Sequence, residues 1–200
     1  MGTRVKDIDK LTFIKTLKEA NLTLLTAHDV RKLFKIDKEN TLKHLLSRMI
    51  KAEVLKPLIK GKYLFLFSDR HPSDFEISNF LVVPSYISLE SALSFWGVLS
   101  QFPYGITAVT PLKPRSLFIG GKEFVYSKIK KEFFLGYKRV DNFLIAEKEK
   151  AVFDYLYFVY KGLRAKSSID ELDLTTKTKR FLKKYACGKF AQFLKEYVGL

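Results

Sequence analysis

Few residues in this sequence have the type and spacing for bond-making chemistry. Glu90, Asp141 and Asp154 are the acids that could act as metal ligands or as a general acid and base. A common half of metal-dependent nuclease sites, an acid two residues before a lysine, occurs nowhere in the chain. Glu90 and Asp154 fall within amphipathic helical patterns, where one acid on the polar side is ordinary. Gly120-Gly121-Lys122 lacks the wider glycine pattern of a phosphate-binding loop and reads as a hairpin turn. His28, His44 and His71 are scattered, and Cys187 is the single thiol, so no zinc-site spacing exists. Cys187 reads as a small residue in a helix break between Ala186 and Gly188. We assign no catalytic residue, no metal and no cofactor.

Polyanion recognition has far more material. The chain carries 36 Lys and Arg against 21 Asp and Glu, a formal charge of +15, and such a field attracts nucleic acid. The excess is greatest at the N-terminal end, with 15 basic against 7 acidic residues over Met1 to Ser68. There, Lys38, Asn40, Thr41, Lys43, His44, Ser47, Arg48 and Lys51 share the polar side of a segment whose other side holds Leu42, Leu45, Leu46, Met49 and Ile50. Lys43 or Arg48 suits guanine O6 and N7, Asn40 suits adenine N6 and N7, and Thr41 suits a thymine methyl. Arg31, Lys32, Lys56, Lys60 and Lys62 suit phosphates, which fix register without reading sequence.

These residues need helices and a hairpin to position them. Leu11, Ile14 and Leu17 recur at helical spacing up to a stop at Asn21. Thr26, with Asp29 three residues later, caps a second short helix bearing Val30, Leu33 and Phe34. A connection from Ile36 to Lys38 leads into a third helix from Asp37 to Ala52. Short helix, tight turn and longer helix make a helix-turn-helix. The two apolar runs that follow, Val54 to Ile59 and Tyr63 to Phe67, close on Lys60-Gly61 as a lysine-bearing hairpin, the wing of a winged helix-turn-helix. Pro57 confines its strand to an edge.

The polar stretch Ser68 to Glu76, with Pro72, separates two apolar periodicities. The expected division is therefore a DNA-binding domain over 1–68, a linker over 69–76 and a second domain over 77–200. In the second domain, strands are expected at about Gly105 to Thr110, Ser116 to Ile119, Phe124 to Ile129 and Phe143 to Ile145. A helix follows from Glu147 to Lys161, then two short helices, Thr176 to Ala186 and Lys189 to Val198, with a further basic cluster at Lys179, Arg180, Lys183 and Lys184. The fold class is α+β. Apolar runs such as Phe80 to Val83 are far short of the roughly 20 residues that span a bilayer, and Met1 to Lys10 has no secretory pattern. The expected location is the cytoplasm, with no membrane partner.

The segments YISLESALSFWGVLSQFP from Tyr86, ITAVT from Ile106, FVYSKIKKEFFLGY from Phe124 and IAEKEKAVFDYLY from Ile145 occur in this order. This series resembles the AbiEi-type antitoxins of abortive-infection toxin-antitoxin systems, predicted transcriptional regulators of phage defence. The resemblance covers most of Tyr86 to Tyr157. It implies a repressor that binds the double-stranded operator DNA of its own operon through the N-terminal domain. The C-terminal domain would support antitoxicity and cooperative self-association on DNA, and the partner toxin would be a nucleotidyltransferase-like protein with which no stable complex is needed. Two alternatives stay open on the residues alone: a nucleic-acid enzyme, nuclease or nucleotidyltransferase, targeted by the winged helix, and a winged helix that binds protein.

Overall fold

The computed structural model describes residues 8–99, 103–165 and 174–200. Parts of the sequence readings above, at 1–7, 100–102 and 166–173, lie outside the described residues. The chain divides into two units, Met1–Ser73 and Asp74–Leu200, and its class is mixed α+β.

In the first unit, Asp9 caps helix α1 (Lys10–Glu19) by accepting the Thr12 backbone N–H at 2.7 Å. The buried residues of α1 are Phe13 and Leu17, whereas Leu11, expected inward, is 75% exposed. Leu17 is buried and Ile14 packs against the core as expected, while Phe13, four residues before Leu17, takes the inward place in the first turn, its larger ring stacked on Phe34 at 4.9 Å. Strand β1 (Leu24–Thr26) leads directly into helix α2 (Ala27–Leu33). Here Thr26 and Asp29 form a reciprocal capping box, with bonds of 3.2 and 2.7 Å. Helix α3 (Glu39–Lys51) starts later than the expected Asp37, because Lys38 occupies the cap position and makes no side-chain capping bond. Its Leu42, Leu45, Leu46 and Met49 are buried together with Phe13, Leu17, Val30, Val54 and Phe65.

Strands β2 (Leu55–Ile59) and β3 (Lys62–Phe65) close on Gly61, whose φ of +77° suits a residue without Cβ. The antiparallel sheet has the order β1-β3-β2. Pro57 thus lies on an edge strand, opposite Tyr63, next to a register shift between Pro57 and Ile59. Leu66 and Phe67 lie past the end of β3 and are exposed, so the expected strand to Phe67 is two residues too long.

The second unit opens with helix α4 (Asp74–Leu81), so Asp74, Phe75 and Glu76 of the expected linker are helical. Strand β4 (Tyr86–Ile87) and helix α5 (Leu89–Phe95) follow, then β5 (Ile106–Thr110), β6 (Arg115–Ile119), β7 (Lys122–Lys128), a 3₁₀ turn at Lys131–Phe133, β8 (Tyr137–Val140) and β9 (Phe143–Ala146). The six-stranded sheet runs β6-β7-β5-β4-β9-β8, with β5 parallel to β7 and β4 parallel to β9. Gly120 and Gly121, with φ of +59° and +81°, make the β6–β7 hairpin turn. Helix α6 (Lys148–Tyr160) is buried continuously from Glu149 to Val159. Helices α7 (Thr176–Tyr185) and α8 (Gly188–Val198) pack on it through Phe181, Phe190 and Phe193, with Phe190 5.4 Å from both Phe153 and Tyr157. Cys187 is exposed in the break between α7 and α8.

Gly136 combines a left-handed φ of +70° with a close approach to Lys150, whose methylenes lie 3.2 to 3.3 Å from where a Cβ would stand. Gly136→Ala should therefore cost about 1–3 kcal/mol, read as a lower urea midpoint with an unchanged slope. Among the described residues, no helix is long and apolar enough to cross a membrane.

Candidate nucleic-acid interface

Helix α3 separates its residues by face. Leu42, Leu45, Leu46 and Met49 point into the core, and Asn40, Lys43, His44, Ser47 and Lys51 recur on the opposite side at intervals of three and four. All five are exposed. Thr41, half-buried, and Arg48 occupy one flank of that face, and Lys38 stands at its N-terminal end. The hairpin adds exposed Lys56 and Lys60 and half-buried Lys62; α2 adds Lys32, exposed, and Arg31, half-buried. The apolar side of α3 fixes the helix, so the polar side is presented on a rigid element.

Two of the expected contact residues already have partners. The Arg48 guanidinium donates to the backbone carbonyl of Ile8, a buried residue just ahead of α1. Arg31 forms an ion pair with Glu39 across the connection between α2 and α3. Both interactions join residues of different elements, which the periodicity within one element does not reveal. The ammonium groups of Lys32, Lys38, Lys43, Lys51, Lys56 and Lys60 make no ion pair or hydrogen bond among the described residues.

In the second unit the three candidate acids are separated by their surroundings. Asp141 sits exposed in the β8–β9 turn, with φ of +48°. Glu90 is held by Arg164. Asp154 contradicts its expected place on a polar helix side, because it is fully buried. Its carboxylate receives the Lys150 ammonium on one oxygen, and on the other the hydroxyls of Ser88 at 2.7 Å and Tyr86 at 3.0 Å. Ser88 therefore occupies the cap position of α5 without a side-chain capping bond, since its hydroxyl donates to Asp154.

Burial drives the electrostatics of this cluster. It pushes the Asp154 carboxyl up and the Lys150 ammonium down, each opposed by its partner. The Tyr86 hydroxyl lies well above the usual phenol range, chiefly through burial and secondarily through the charge of Asp154. Lys150 also faces the rings of Phe153 at 4.7 Å and Tyr86 at 5.8 Å. With every polar atom engaged inside the unit and no solvent access, the cluster secures β4, the start of α5 and α6 to one another. A signal was present in the sequence: KAVFDYLYFVY is apolar around most of its circumference, which marks a buried helix, and Lys150 and Asp154 stand four residues apart within it.

Glu149, in the first turn of α6, is buried and bonded to Lys177 at 3.0 Å. Lys179, Arg180, Lys183 and Lys184 are exposed along one side of α7. No group of three or more His, Cys, Asp or Glu among the described residues could hold a metal ion.

The fold class defined by these elements is a two-unit α+β protein. No protein-family model matches the sequence, and no curated protein matches it. A solved structure that is similar is that of the RV2827C protein from Mycobacterium tuberculosis, at 12% sequence identity and a TM-score of 0.51, covering 92% of this chain and 80% of that one. At that identity the likeness is one of fold alone.

Proposed function

We propose that the chain is a DNA-binding transcriptional repressor whose first unit is a winged helix-turn-helix, with α3 in the major groove and the β2–β3 hairpin as its wing. The observation that carries this reading is the outward face of α3, where Asn40, Lys43, His44, Ser47 and Lys51 are exposed directly opposite the buried leucines. The order helix, strand, two helices and two strands, with sheet order β1-β3-β2, supports it. Groups near the N-terminal end of such a helix read bases, and the lysines of the hairpin and α2 grip phosphates. The ordered motifs from Tyr86 to Tyr157 support the more specific reading of an AbiEi-type antitoxin that represses its own operon and counteracts a nucleotidyltransferase-like toxin.

The division of labour is testable on the full chain with a duplex taken from immediately upstream of its coding sequence and a shuffled duplex of equal composition. Asn40→Ala and Lys43→Ala should each weaken binding to the upstream duplex by about 5- to 100-fold while changing the shuffled duplex much less. Lys60→Ala should weaken both alike and lower the salt slope by about one. Equal loss on both duplexes for all three variants would show that α3 reads no bases.

A further inference from the structure

In the free protein, the arginines and lysines of the candidate interface are in different states. Arg31 is paired with Glu39 and Arg48 is bonded to Ile8, while the ammonium groups of Lys32, Lys38, Lys43, Lys51, Lys56 and Lys60 make no ion pair or hydrogen bond among the described residues. Long-range attraction to any duplex therefore has free lysines to work with. The guanidinium of Arg31, suited to a two-pronged grip on phosphate, is neutralised by a carboxylate on the neighbouring helix. That carboxylate is also unusual in its place: Glu39 is the only acid in α3 and stands in its first turn, at the N-terminal edge of the polar side and one residue before Asn40.

Resting on the DNA-binding reading, we infer that Glu39 is a specificity-determining residue that exchanges Arg31 for the exocyclic amine of a cytosine in the cognate site. On non-cognate DNA, moving Arg31 to a phosphate leaves the Glu39 carboxylate without a donor and close to a polyanion. Such an unpaired charge is costly at an interface. On cognate DNA, the cytosine N4 amine replaces Arg31 as the donor, since Glu is suited to that group in the major groove, and Arg31 moves to the backbone without penalty. The side chains of the pair are 38% and 59% exposed, so the pair itself is weak and easily opened. Discrimination arises from what Glu39 meets after opening.

The test compares the full-length protein with Glu39→Gln on the upstream and shuffled duplexes by fluorescence anisotropy at fixed salt. Glutamine removes the charge but keeps the length, so the variant should bind the shuffled duplex about three- to tenfold more tightly and lose at least about fivefold in the ratio of upstream to shuffled affinity. Replacing the cytosines of the upstream duplex one at a time should locate one whose loss weakens the wild type more than it weakens Glu39→Gln, since the glutamine oxygen accepts from the same amine without the charge. A wild type that prefers the upstream duplex, with the same preference in Glu39→Gln, would overturn the role of Glu39 alone. A wild type with no preference would overturn the DNA-reading function and this role with it.

Discussion

Asp154→Ala should destabilise the second unit by about 3–5 kcal/mol, the cost of leaving one member of a buried ion pair without its partner. The carboxylate accepts from Lys150, Ser88 and Tyr86 at once, and its removal strands an ammonium and two hydroxyls where water does not reach. Lys150 can escape by losing its proton. Near pH 7 that costs about 4–5 kcal/mol, because an unfolded lysine titrates at about 10.4. In the variant the unfolded state then binds one more proton than the folded state, so stability rises with pH. The deficit against wild type should shrink by about 1.4 kcal/mol per pH unit from neutrality toward pH 10. Urea denaturation followed by circular dichroism at several pH values measures both effects. Lys150→Met combined with Asp154→Leu should recover most of the loss, since a buried ion pair gives little net advantage over apolar packing. A deficit below about 1 kcal/mol, or one independent of pH, would mean that the cluster is open to water.

Duplex affinity should fall by about a thousandfold between 50 and 200 mM salt. This is the slope given by about six phosphate contacts, each releasing condensed counterions. Arg31, Lys32, Lys51, Lys56, Lys60 and Lys62 are the groups available for those contacts. Of these, the ammonium groups of Lys32, Lys51, Lys56 and Lys60 make no ion pair or hydrogen bond among the described residues and need break none to reach a phosphate. Lys56→Ala with Lys60→Ala should reduce the slope of log affinity against log salt by about two and weaken all duplexes alike. Fluorescence anisotropy at four salt concentrations gives the slope directly. A slope near zero would exclude a phosphate-gripping surface.

What the sequence disclosed followed from repeated spacing. Leucines at helical intervals opposite a lysine-rich side identify α3, and two apolar runs around Lys60-Gly61 identify the β2–β3 hairpin. Thr26 and Asp29 announce the start of α2 because a capping box is a purely local device. Elements stabilised by distant partners were harder to read. Strand β1 has three residues and β4 two, too short for any alternation, and both are held by their neighbours in the sheets. Strand β8, Tyr-Lys-Arg-Val, is an edge strand whose polar residues match solvent and not the strand pattern. Helix α4 lies in a segment polar enough to pass for a linker.

The candidate interface divides in the same way. Exposure of Asn40, Lys43, His44, Ser47 and Lys51 follows from helical phase and was legible residue by residue. The ties from Arg48 to Ile8 and from Arg31 to Glu39 were not, because each spans a chain reversal that brings residues of different elements together. Asp154 departs from its expected place for a related reason. An acid in an amphipathic helix belongs on a solvent side, yet α6 has no such side between Glu149 and Val159. A lysine and an aspartate four apart in an otherwise apolar helix are better read as a pair made to be buried together.

The most direct test of the DNA-binding reading is a titration of the full-length chain against the duplex upstream of its own coding sequence and against a shuffled duplex of the same composition, both at 150 mM salt. The predicted result is a preference for the upstream duplex of about a thousandfold or more. Equal affinity for the two duplexes, or no binding to either, would contradict it.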